Sequence, residues 1–195
     1  MNTLLKSDNE LVNQFIKGDV SGIETLIERH KDKVFTYILI SVKNKELAED
    51  IFQDTFIKVI KSLLSGKYKD DGKFVSWIIR IAHNLIIDHY RKAKQFNIKS
   101  NDDYDYDIFN SKDLIENNVE QEMVNEQIIK EVRMLVEELP EDQKEVIMLR
   151  HFGGLSFKEI AEQTNVSINT ALGRMRYAVL NLRKLIKEKN LSLTV

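Results

Sequence analysis

Apolar residues recur at three- and four-residue spacing along most of the chain, and no stretch keeps the strict alternation of a strand, so the pattern predicts an all-α fold. Ser7 with Glu10 and Ser21 with Glu24 have the spacing of capping boxes, in which a serine oxygen and a glutamate satisfy free amides at a helix start. The first helix would carry Leu11, Val12, Phe15 and Ile16 and stop at Gly18. The second would bury Ile23, Leu26, Ile27, Val34 and Ile38 along one stripe. Asn44 offers a cap for a third helix over about 45–64, with Leu47, Ile51, Thr55, Val59 and Leu63 on its core row. Asp50, Gln53, Asp54 and Lys58 fall on another face. After a break at Gly72, a fourth helix runs from Lys73 to about Lys92. Phe74, Trp77, Ile78, Ile81, Ala82 and Leu85 face inward, and its end is basic through Arg91, Lys92 and Lys94. Four such helices can close one core.

Periodicity lapses between Gln95 and Asn118, where the Asn101 to Asp107 run is too polar to bury much apolar surface. It resumes with Val124, Ile128, Val132, Leu135, Val136 and Leu139, and Pro140 then ends one helix and opens another. The expected organisation is two small helical domains, 1–94 and 120–195, joined by a flexible acidic linker over 95–119.

Within the second domain, Gly153-Gly154 and the stretch from Thr164 to Ser167 divide the chain into short helices at helix-turn-helix spacing. Ser156 with Glu159 caps the helix holding Ile160 and Ala161, where the small alanine lets the next helix approach. Asn165 tolerates a left-handed turn, Val166 plugs the joint and Ser167 caps the following helix. Such a helix enters a major groove by its N-terminal end, which makes Ser167, Asn169, Thr170, Arg174 and Arg176 the candidate DNA contacts. Ala171, Met175, Ala178, Val179 and Leu182 recur at helical spacing and read as core. The competing reading is a plain bundle with a solvated basic last helix. Against it stands the coincidence of cap, small residue, turn residue and apolar joint at the required offsets.

Bulk charge changes this picture only when resolved along the chain. The overall net charge is −2, but residues 1–100 carry +4, residues 101–145 carry −11 and residues 146–195 carry +5. Two basic ends around an acidic middle suit two DNA contacts joined by a segment that repels DNA, although charge alone fits solvated surface equally well. The absence of cysteine excludes disulfides and thiolate metal sites. No apolar run approaches the roughly 20 residues of a membrane span, and Met1 to Glu10 lacks the succession of a signal peptide. A cytoplasmic protein without membrane insertion is expected.

On these motifs the chain resembles the extracytoplasmic-function group of the sigma-70 family, small sigma factors that keep regions two and four. LPEDQKEVIMLRHFGGLSFKEIAE followed by VSINTALGRMRYAVLNLRKLI looks like the region-four helix-turn-helix that reads the minus-thirty-five promoter element. AEDIFQDTFIKVIKSL, residues 48–63, is similar to the region-two helix that docks on the clamp coiled coil of the large polymerase subunit. The resemblance implies polymerase contacts at Asp50, Gln53, Asp54, Phe56 and Ile57. FVSWIIRIAHNLIIDHYRK, residues 74–92, resembles the melting and minus-ten segment. There Trp77 matches a family tryptophan assigned mainly to the core, Asn84 holds the position that contacts a flipped non-template base, and Lys73, Arg80 and Arg91 would hold the backbone. The implied partners are core RNA polymerase and promoter DNA, with an anti-sigma protein as a further partner that many relatives have. No cofactor, metal or catalytic residue is implied. One departure stands out: relatives usually carry a cation and a serine where this chain has Leu172 and Gly173.

Two other classes compete. A regulator with a sensory N-terminal domain shares the helix-turn-helix but has no reason to carry the Asp50/Gln53/Phe56 helix or the Trp77 and Asn84 segment. An enzyme would need chemistry that the sequence lacks, since there is no phosphate-binding glycine loop, nucleophile elbow or paired ligand spacing. His83 and His89 fall on different helix faces and Asp88 does not complete a metal set; His30 and His151 have no ligand set around them.

Overall fold

The computed structural model describes residues 6–69, 71–99 and 134–189, which are helices and their connections with no strand among them. The chain separates into two compact units. Most of the expected linker and the beginning of the second domain, including Val124, Ile128 and Val132, lie outside the described residues.

The N-terminal unit packs four helices, α1 (Asp8–Ile16), α2 (Ser21–Val42), α3 (Lys45–Leu64) and α4 (Phe74–Lys99). The Ser7/Glu10 capping box forms in full, and Gly18 ends the connection after α1 with φ 97°. The second expected box does not form. Asp19 Oδ1 accepts from the Ser21 amide at 3.0 Å and from its hydroxyl at 2.8 Å, so the stronger carboxylate acceptor takes the helix start and Ser21 is drawn into the first turn. At the far end of α2, Lys43 turns left-handed with φ 53°, and Asn44 caps α3 by accepting from the Leu47 amide at 2.9 Å.

Helices α1 and α2 cross at backbone contact. A Cβ placed on Gly22 would lie 2.4 Å from the Leu11 carbonyl oxygen and 3.0 Å from the Phe15 nitrogen, so only glycine fits. Leu11, Leu26, Val34, Ile38, Ala48, Val59, Ile78, Ile79 and Ala82 form the fully buried centre. Helix α4 runs to Lys99, well past the expected end near Lys92. Its inner face is also turned from the expected one: Ile79 and Ile86 are buried, whereas Trp77, Ile81 and Leu85 are half-buried.

Two sets of polar contacts tie the helices of this unit together. The Asp8 carboxylate meets Arg29 Nη1 at 2.6 Å and His30 Nε2 at 2.9 Å, tying the start of α1 to α2. Burial lowers the His30 pKa against the opposing pull of Asp8. The Tyr37 hydroxyl lies 3.0 Å from His83 Nδ1, joining α2 to α4 through the core. Burial there pushes His83 down to about 4.

In the C-terminal unit a helical turn at 134–137 leads into α5 (Glu141–His151), α6 (Phe157–Gln163) and α7 (Ile168–Glu188). Pro140 stands at the N-cap of α5, where a missing amide costs nothing. Leu135, Val146, Leu149, Leu155, Ile160, Ala171 and Ala178 make the centre. Lys144 is buried beside them, with its ammonium 3.3 Å from Glu141 Oε1.

His83 makes the N-terminal unit acid-sensitive in a stated direction. Its folded pKa of about 4 lies below the ordinary 6.5, so the unfolded chain binds the proton first and stability falls as pH drops from 6.5 towards 4. The expected slope is about 1.4 kcal/mol per pH unit across that window. Trp77 is the only tryptophan and lies in this unit, so urea midpoints followed by its fluorescence at pH 7 and pH 5 read the effect, and His83→Gln should reduce it, leaving the contribution of the same sign from His30.

Candidate partner and nucleic-acid surfaces

Three surfaces follow from which helix faces the two cores leave outside. On α3, Ala48, Ile51, Thr55, Phe56, Val59 and Leu63 turn inward. At 100° per residue this leaves Asp50, Gln53, Asp54, Ile57, Lys61 and Leu64 on one outward stripe, and all six are exposed. Ile57 and Leu64 are large apolar side chains in that position, at 47% and 64% exposure. Phe56 does not join them: it is buried and packs edge-on against Phe52 at 4.9 Å. Within the predicted set, Asp50, Gln53, Asp54 and Ile57 are thus brought together, and Phe56 supports them from beneath.

The α4 surface is a single line. Lys73, Trp77, Arg80, Asn84 and Arg91 are spaced so that their directions differ by no more than about 60° around the axis. Lys73, Asn84 and Arg91 are exposed, and Arg80 is half-buried. Asp71 accepts from the Lys73 amide at 3.0 Å just before the helix begins. Arg91 lies 3.5 Å from Asp88 on the helix surface. Trp77 belongs to an aromatic cluster, its ring 4.6 Å from Tyr68 and 5.8 Å from Phe74, while Phe74 lies 5.8 Å from His30. That packing holds the indole and leaves Trp77 half-buried.

The third surface is the start of α7, set by a chain of backbone closures. Arg150 donates to the Leu155 carbonyl at 2.7 Å and lies over the Phe157 ring at 5.3 Å, locking the turn at Gly153-Gly154. Ser156 and Glu159 form the full capping box on α6. Asn165 adopts φ 54°, and the Val166 amide returns to the Ala161 carbonyl at 3.0 Å, which closes the tight turn. Ser167 then caps α7 by accepting from the Thr170 amide at 3.1 Å. Ala161 and Ala171 are both buried where α6 and α7 meet.

Ser167, Asn169, Thr170 and Arg176 are exposed at the front of α7. Arg174 is placed differently. It turns back to α5, with Nε 3.2 Å from Asp142 and Nη1 3.9 Å from Glu145. Burial raises the Glu145 pKa, against the pull of Arg174. The Asn181 amide, donating to Gln143 at 2.8 Å, makes a second tie between the same helices. Val179, expected in the core, is 38% exposed because the inner face narrows to Ala171 and Ala178, with Met175 and Leu182 half-buried. Tyr177 and Leu180, which the sequence reading passed over, are 61% and 46% exposed. For Leu180 the available signal was its helical phase, opposite Ala171 and Ala178.

Comparison with known proteins gives a consistent pattern. A family model described as sigma-70 region 2 matches residues 26–96, and one described as sigma-70 region 4 matches residues 129–175. RNA polymerase sigma factor SigZ of Bacillus subtilis is 30% identical over 166 residues, covering 85% of this chain and 88% of its own length. The ECF RNA polymerase sigma-E factor of Haemophilus influenzae is 28% identical over 188 residues, covering 94% and 95%. The fold is similar to that of sigma factor RpoE from Bartonella quintana, solved with the anti-sigma factor NepR, at TM-score 0.65, 19% identity and coverage of 86% of this chain and 98% of that one.

Arg174 and Arg176 of α7 should separate in solution. Arg174→Met is expected to lower the stability of the C-terminal unit by about 1 kcal/mol, since the pair is partly exposed, whereas Arg176→Met should stay within about 0.5 kcal/mol of wild type. Thermal unfolding followed by far-ultraviolet circular dichroism checks both.

Proposed function

Because the chain belongs to the sigma-70 family, in its extracytoplasmic-function group, we propose how its two helical units divide the work of a sigma factor. The protein binds core RNA polymerase, directs it to promoters and helps open the DNA for initiation. It acts as a specificity subunit in the cytoplasm, and the chemistry of transcription stays in the polymerase.

In this reading the 1–94 domain carries two contacts. The α3 stripe of Asp50, Gln53, Asp54 and Ile57 docks on a basic helical surface of the polymerase, its charges setting encounter and register while Ile57 and Leu64 supply apolar area. The α4 line holds the minus-ten element. Lys73, Arg80 and Arg91 follow the backbone, and Asn84 receives a flipped base beside the packed Trp77 ring. Melting then needs no chemistry of its own: binding unpaired bases more tightly than duplex offsets the few kcal/mol required to unstack each one. The acidic segment that follows α4, the linker of this reading, is repelled by DNA and passes through the polymerase towards its active-site channel. The 120–195 domain reads the minus-thirty-five element through Ser167, Asn169, Thr170 and Arg176, with Arg174 holding α7 at its angle to α5.

The α4 line carries the reading, because a helix-turn-helix alone would serve an ordinary regulator equally well. An anti-sigma protein is the further partner we propose, covering the α3 stripe or the front of α7; the support is the company of the similar RpoE structure.

Reconstituted transcription with core polymerase tests the whole. The expected result is promoter-specific initiation, with Asp50→Lys/Asp54→Lys weakening polymerase binding roughly tenfold or more. Asn84→Ala should reduce open-complex formation by about tenfold while leaving initial duplex binding intact. Initiation no more specific than core polymerase alone would refute the assignment.

A further inference from the structure

Resting on that reading, we infer that Gly173 is the point of closest approach between the recognition helix and DNA, a steric selector built by leaving out a side chain. Helix α7 buries Ala171 and Ala178, so the direction opposite them belongs to Asn169, Gly173, Arg176 and Leu180. Gly173 lies at the centre of that outward line, one turn from Asn169 on one side and from Arg176 on the other.

The fold does not require glycine there. A Cβ built on Gly173 meets no atom within 4 Å, and the residue is not among those with positive φ. Both ordinary reasons for a mid-helix glycine are thereby removed, namely close packing within the protein and a left-handed backbone. Gly22 shows the contrast, since its added carbon would collide with the Leu11 carbonyl at 2.4 Å. What remains at Gly173 is the helix-propensity penalty, with nothing inside the protein to offset it.

The charges around it point the same way. Arg174 is the one cation between Ser167 and Met175, and it faces Asp142 and Glu145. Between Ser167 and Met175 the recognition helix therefore has no outward cationic arm with which to reach a phosphate across a gap, the first being Arg176 one turn beyond Gly173. Its outward neighbours are the amide of Asn169 and the apolar Leu172, 44% exposed. Both act only at short range, Asn169 through hydrogen bonds to a base edge and Leu172 through van der Waals contact with a thymine methyl. Short arms need the helix axis nearer the bases, and a missing Cβ at the leading edge permits it.

The test begins with the full chain and core polymerase selecting duplexes from a randomised pool, followed by footprinting to locate the upstream element. Affinity for that element, its salt dependence and thermal stability are then measured for wild type, Gly173→Ala and Arg176→Ala. Gly173→Ala is expected to raise the unfolding midpoint of the C-terminal unit by roughly 4 °C. The same variant should bind the upstream element about tenfold more weakly, the size of one lost base-pair contact, with an unchanged salt slope. Arg176→Ala should instead reduce that slope by about one. Unaltered or tighter binding by Gly173→Ala overturns the inference while leaving the sigma-factor reading standing, as does weaker binding accompanied by lost stability. Failure of the wild type to recover any specific duplex overturns both.

Discussion

Every surface in this protein is the far side of a helix whose near side must be buried, and the 3.6-residue repeat is the constraint that connects them. Helix α4 shows it most fully: Phe74, Ile78, Ile79, Ala82 and Ile86 are held against α2 and α3. Burying that row leaves Lys73, Trp77, Arg80, Asn84 and Arg91 no choice but to fall in register along another line. A contact spread over about 27 Å of helix is thus positioned by core packing, without a dedicated scaffold. On α3 the same logic presents the acidic stripe, and at α7 it turns Asn169 and Arg176 outward because Ala171 and Ala178 turn inward.

The two units solve the positioning problem differently. The N-terminal unit has a broad apolar centre, and its polar pairs, Asp8 with Arg29 and His30 near the surface and Tyr37 with His83 inside, join helices that hydrophobic contact already holds. The C-terminal unit has a narrow one among its described residues, and α7 offers it little more than two alanine faces. Its direction is set instead by polar ties to α5 through Arg174 and Asn181, and by the closed turn at Asn165. A recognition helix fixed in this way keeps nearly all of its side-chain length for the outside.

Much of this was legible in the sequence wherever one local rule decided the outcome. The limits of α3 follow from the Asn44 cap and an uninterrupted row, and the helix-turn-helix follows from Ser156, Asn165, Val166 and Ser167, all of which act on near neighbours. Legibility failed where two candidates competed locally or where partners are distant in the chain. Asp19 and Ser21 stand two residues apart, and only the stronger acceptor takes the α2 terminus. Arg174 looked like a DNA contact because its partners Asp142 and Glu145 are about thirty residues away and become neighbours only on folding. Val179 kept helical phase with the core, but phase says nothing about where a small core runs out. The rotation of α4, which buries Ile79 and Ile86 rather than Trp77 and Leu85, depends on three helices at once and leaves no trace in any one of them.

The crossing of α1 and α2 has a consequence for how this protein can vary. Because the two backbones touch at Gly22, the separation of those helices is set by main-chain atoms, with no side chain there whose size can be adjusted. At Val12 or Leu11, exchanges among aliphatic residues offer graded steps, each compensable by a neighbour. Position 22 has no such gradation, since the smallest possible addition already requires the pair to separate. Drift or engineering that alters the first helix must therefore work around a fixed point, changing what lies on either side of it.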